Sequence, residues 1–343
     1  MRNALKLTAG LGLALMTAAA IPAIGQTHYK IQQEWKLGGD GGWDYLAVDP
    51  VSDLIYITRG DRVMIVDPAT GKETGEITGL KGTHGVVFDS IYKYGYITDG
   101  GANVVRVFDR KSHAVVSSIP AGTNPDGAVF EPVTETVWAF NGHSKNATAI
   151  DTKTNTVVAT VGLPGKPEFP VADGKGTIFA NIEDMSEIVR IDAKTHQVTA
   201  TWPLAPCESP SGLAIDVAHR RLFSVCDNKL MAVVDTNTGK VIATPAIGDG
   251  PDAAGFDANR QLAFSSNGEG TLTVVKEDSP SKFTVLQTLA TKRSARTMTI
   301  DPKTGKIYLV AAELGPRPAA TPQNPHPRPT IMPGTFEVIV VGR

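Results

Sequence analysis

Seven polar residues recur along this chain at separations of 40 to 44 residues: Asp44, His84, Asp126, Glu168, Ser211, Asp252 and Arg296. Carboxylates, an imidazole and a guanidinium are the groups that bind cations, move protons and hold polar ligands. His84 with Asp126 and Glu168 makes a nitrogen-plus-carboxylate set suited to zinc, manganese or another divalent ion, so a divalent metal is the candidate cofactor. His143 and Glu183 are candidates to reach the same place from a second row. Residues so far apart in sequence act together only if the fold gathers them around one point.

The elements that could do this are repetitive. Each of the seven stands five residues before an acidic residue that closes a short apolar run, as in "WDYLAVD" ending at Asp49, "HGVVFD" at Asp89, "DGAVFE" at Glu131 and "SGLAID" at Asp216. A period near 42 residues is that of a four-stranded β-propeller blade. In the first unit "YLAVD", "LIYITR", "RVMIVD" and "TGEITGL" read as strands A to D, separated by the turns "PVSD" and "PATGK". The last unit lacks a strand D, while "HYKIQQEWKL" precedes the first unit and has the outline of one. The expected fold is therefore all-β: a seven-bladed propeller of antiparallel four-stranded blades, its ring closed by the N-terminal strand completing the last blade.

"YITDGGANVVRVFD" (96–109) and the shorter-turned "YITRGDRVMIVD" (56–67) resemble the repeat of the YVTN-type, YncE-like bacterial propellers. Later units depart from that motif, as in "WAFNGHSKN", "FSVCDNK" and "FSSNGEG". The resemblance implies the architecture and says almost nothing about activity, since such turn residues serve backbone geometry.

Antiparallel blades send the D-to-A and B-to-C loops to one face and the A-to-B and C-to-D turns to the other. The turns are uniform ("DPATGK", "DTKTNT", "DAKTHQ", "DTNTGK"), whereas the loops vary, which makes their face the functional one. The seven polar residues start strand A on that face and should ring a central funnel. After strand B, Arg59, Asp61, Asp99, Asn141, Asn181, Asp227, Asn267 and Glu313 extend it. One B-to-C loop, Glu313 to Thr335, carries seven prolines and is either a semi-rigid lid bearing Arg317, His326 and Arg328 or a disordered insertion. His113, His196 and His219 fall on the turn face or outer strands as surface residues. Cys207 and Cys226 both belong on the funnel rim, where a disulfide between them is expected.

Residues 1–25, with Arg2 and Lys6 before an apolar run and small residues at Ala23 and Gly25, have the pattern of a cleaved secretory signal. This leaves residues 26–343 as one propeller domain in the periplasm or outside the cell, with no membrane span, and a monomer is expected. A formal charge of -2 gives no general attraction to nucleic acid, and an acidic inner ring would repel phosphates. Three function classes remain: a binding or scaffold protein that holds a small molecule, a metal or an envelope protein in the funnel, a metal-dependent hydrolase or lyase, and, least favoured for the reason just given, a nucleic-acid binder. The hydrolase or lyase reading is analogy to lactonase-like propellers, with no matching catalytic motif.

Overall fold

The computed structural model describes Met1 and residues 28–89, 93–321, 327 and 329–343. Apart from Met1, the expected signal segment lies outside the described residues, as do His326 and Arg328 of the proline-rich loop.

Seven four-stranded antiparallel sheets follow one another around a ring. Strands B and C are rich in Val, Ile and aromatic residues and are buried on both faces, because each sheet is sandwiched between its neighbours. Ile55–Thr58, Thr136–Asn141 and Arg221–Cys226 are buried at every position. Strand D has only one covered face and alternates accordingly, as in Gln197–Pro203. In the first unit strand D spans Lys72–Ile77, starting slightly earlier than the sequence suggested.

The N-terminal strand, Lys30–Lys36, pairs antiparallel with Glu337–Gly342 and completes the seventh blade. Trp35 packs on Tyr308 at 5.7 Å and Tyr29 on Phe264 at 5.3 Å between ring centroids. The Gln287 side chain accepts from the Tyr29 backbone N–H at 2.9 Å and donates to its carbonyl at 2.8 Å, and Lys36 pairs with Glu337. The closing seam thus joins apolar contact to polar clamps.

The turn face follows one rule. Asp67, Asp109, Asp151, Asp192 and Asp235 end strand C and accept backbone N–H groups of the turns that follow. Four residues later Gly71, His113, Asn155, His196 and Gly239 take the left-handed conformation, with φ of 67, 60, 54, 57 and 70°. His113 and His196 are therefore turn residues on the face expected, with their rings 5.9 Å from Tyr56 and 5.8 Å from Trp138.

Candidate functional site

All seven ring residues line a single cavity of about 810 Å³ at the start of the A strands, together with Glu183 from the second row. The backbones of six of them are held by side chains from strand B or a neighbouring A strand. Thr58 donates to the His84 carbonyl at 3.1 Å, Thr98 to Asp126 at 2.6 Å, Asn181 to Ser211 at 2.9 Å and Ser266 to Arg296 at 2.5 Å. Thr297 secures the Asp44 carbonyl at 3.0 Å, and Ser211 secures that of Asp252 at 3.2 Å. A polar group near the end of an otherwise apolar strand thus fixes the ring residue of the next blade.

This changes the reading of the second row. Asn181 is a buried staple, Asn141 and Asn267 bond inside their own blades to Thr148 and Thr273, and buried Asp99 takes the Arg106 guanidinium. Arg59 is buried over the Phe336 ring, 3.6 Å from its centroid. His143 is exposed and lies outside the cavity wall, so it does not join the ring. The interruption of an apolar run by one Thr, Asn or Ser was the sequence signal for the staples.

The ring side chains sort into three groups. His84 Nδ1 lies 2.7 Å from Asp44 Oδ2 and 3.6 Å from Asp126 Oδ1, and these three could together hold a metal ion. Glu168 is drawn away from His84 by Lys166, whose Nζ stands 2.6 Å from Oε1 and also pairs with Glu183. Arg296 pairs with Asp252 and stands 3.9 Å from Asp44. The geometry therefore sets Asp44 beside His84 and Asp126, where the sequence had suggested Glu168 as the third ligand.

Burial and mutual repulsion dominate the protonation of these groups. Desolvation and the charge of Asp44 push the Asp126 carboxyl up to about 6. Desolvation and Asp126 push Glu168 up to about 8 despite Lys166. Burial works against the His84 imidazolium, but its hydrogen bond to Asp44 and the Asp126 and Glu168 charges outweigh that and raise it to about 9. At neutral pH a proton on His84 occupies the space between two carboxylates.

The base of the funnel is aromatic. Tyr45 of blade one meets Phe169 of blade four with ring centroids 4.6 Å apart, and beyond them lies an apolar space of about 270 Å³ lined by Leu213, Met298 and Ile300 among others. Above, Leu314, Arg317, Pro329 and Ile331 of the proline-rich loop form part of the wall. The roots of that loop are laddered, Gly315 N–H to the Thr330 carbonyl at 2.8 Å and Met332 N–H to Glu313 at 2.9 Å. Cys207 and Cys226 form a disulfide, with Cα atoms 5.7 Å apart, buried in an apolar cluster and not exposed on the rim as the sequence suggested. The Asn228 side chain beside it donates to the Pro206 carbonyl at 2.7 Å.

No family model and no curated protein matches this sequence. Solved structures do match in fold. Hydrazine synthase of Kuenenia stuttgartiensis is 14% identical with a TM-score of 0.69, over 78% of this chain and 92% of that one. U3-55K is 10% identical with a TM-score of 0.73, over 91% and 98%. The WD40 repeats of RRP9 are 10% identical with a TM-score of 0.74, over 92% and 97%. At these identities the likeness establishes the β-propeller fold alone. Among the described residues no helix is long and apolar enough to cross a membrane.

Proposed function

We propose that this chain is an exported, YVTN-like propeller, one domain over residues 26–343, that binds a small polar ligand in its funnel. The observation that carries this reading is the convergence of six carboxylates, Asp44, Asp126, Glu168, Glu183, Asp227 and Asp252, on one cavity. Lys166 and Arg296 offset part of that charge, yet burial leaves Asp126 and Glu168 uncomfortable as anions. A ligand bearing a cationic group, or a divalent ion, relieves the repulsion and has the strongest claim on the site. Arg293, Arg317 and Lys166 on the same wall would receive an anionic end of that ligand.

The test is a thermal-shift screen of polyamines, amino acids, lactones and divalent ions on the wild type and on an Asp126→Ala/Glu168→Ala variant. A compound that raises the wild-type melt and not that of the folded variant supports the reading. Compounds that shift both equally place binding elsewhere.

A second reading, a metal-dependent hydrolase or lyase, is favoured by the Asp44, His84 and Asp126 group. These residues fit a zinc or manganese ion, which would supply Lewis-acid polarisation or an activated water. Asp44 and Asp126 would carry the charge of the site, and His84 would exchange its proton for a ligand bond. Metal-dependent turnover in a lactone and ester screen, lost in Asp44→Asn, would select this reading over simple binding.

A further inference from the structure

The opposite face carries a second group of ligand atoms, independent of the funnel. Asp216 ends strand A of blade five, His219 stands in the turn after it, and Glu277 lies on strand C of blade six, Thr271–Ser279. Asp216 Oδ2 is 2.7 Å from His219 Nδ1, and Glu277 Oε1 is 3.5 Å from the same nitrogen. One ligand atom from each residue lies within 4.8 Å of the others. Glu277 is only 2% exposed, yet neither of its carboxylate oxygens has a hydrogen-bond partner. A buried carboxylate in that condition, next to a second one, either keeps a proton shared with Asp216 or takes up a cation.

The same position in other blades holds Arg110, Thr152, Ala193 and Thr236, and blade two shows what a cation does there. Glu277 donates its backbone N–H to Gln261, as Arg110 in blade two donates to Lys93, so the two residues are structural equivalents. The Arg110 guanidinium reaches back to Asp49, the blade-one counterpart of Asp216, and pairs with it. Between blades five and six an acid stands at this position, so two carboxylates meet where in blade two one carboxylate meets a guanidinium. Nearby Arg221 spends its groups on Asp235 at 3.1 Å and on the Pro280 and Arg220 carbonyls at 3.1 Å.

We propose that Asp216, His219 and Glu277 bind a divalent cation that clips blade five to blade six. One imidazole nitrogen and two carboxylates suit zinc or manganese. The half-exposed His219 ring gives the ion a route from solvent and leaves a coordination position for water. The ion does structurally what Arg110 does in blade two.

Zinc titrated into the chelator-stripped full chain tests this, with uptake followed by calorimetry and by elemental analysis after dialysis. One equivalent should survive Asp44→Asn/Asp126→Asn and be weakened at least about 10-fold in Glu277→Gln and in His219→Asn, since metal binding depends on each deprotonated ligand. In the Asp44→Asn/Asp126→Asn background, which removes the funnel group, zinc should still raise the melt, and should no longer do so once Glu277→Gln or His219→Asn is added. Glu277→Arg recreates the Arg110–Asp49 arrangement, so it should fold without metal, melt no lower than the stripped wild type and ignore zinc. Absence of zinc and manganese uptake by the wild type, or uptake unaffected by either Glu277→Gln or His219→Asn, would overturn the proposal. Because His219 is half exposed, its variant decides the matter should Glu277→Gln fail to fold.

Discussion

Tyr45 and Phe169, from blades on opposite sides of the ring, pack their rings 4.6 Å apart at an interplanar angle of 55°. The Tyr45 hydroxyl donates to the Asp252 carbonyl at 3.4 Å, which ties this floor to the polar ring above it. A tube open at both ends would leave the carboxylates in bulk water. The aromatic pair adds to the burial of the ring, and burial together with the neighbouring carboxylate charges sets where its groups titrate.

Phe169→Ala should therefore join the two spaces of about 810 and 270 Å³. Loss of a half-buried aromatic contact lowers stability by about 2 kcal/mol. Denaturant melts give the cost, and a crystal structure of the variant would show water continuous through the channel. An unchanged midpoint would mean that the ring contact contributes nothing.

The funnel makes stability fall as pH rises. Unfolded, His, Asp and Glu titrate at about 6.5, 3.9 and 4.3, whereas folded His84, Asp126 and Glu168 titrate near 9, 6 and 8. The native state then holds the extra protons. The His84 contribution is complete below about pH 6.5 and lost as pH rises through about 9, and the cost of the two carboxylates grows between about pH 4 and 8. Urea midpoints between pH 5 and 9 should show a decline at least about 1 kcal/mol larger for the wild type than for His84→Gln/Asp126→Asn/Glu168→Gln. Parallel profiles would contradict the assignment. A cation bound at Asp44 and Asp126 displaces these protons, so its affinity should rise over the same window.

The disulfide should matter locally and little to the rest of the ring. Cys207 and Cys226 are 19 residues apart, and opening a loop of that size costs roughly 3 kcal/mol through the unfolded chain. Cys207→Ser/Cys226→Ser should melt lower by that amount while keeping its circular dichroism. Reducing agent should lower the wild-type melt and leave the variant untouched.

Removing residues 28–37 should be far more damaging than their length suggests. It strips the partner from Glu337–Gly342 and exposes both that edge and the Tyr308 ring. An unpaired buried edge invites association between chains. Size-exclusion chromatography should show oligomers or no soluble protein, and a well-behaved monomer would mean that the ring closes without this strand.

The sequence by itself determined the architecture, because a blade is written locally: apolar alternation, an acid to cap each turn and a left-handed position four residues later. It also determined which residues stand at the seven ring positions, since a fixed register places equivalent residues at equivalent radii, and it paired the two cysteines correctly. Only the tertiary structure decided which ring residues touch. Lys166 captures Glu168, Asp44 rather than Glu168 stands beside His84, His143 stays outside, and Asn181 turns into the wall instead of the cavity. Nor could the sequence pair Tyr45 with Phe169, or set Glu277 against Asp216. Backbone periodicity is fixed within a few residues, whereas these contacts depend on blade tilt and ring closure, which shift side chains by the few ångströms that separate an ion pair from none.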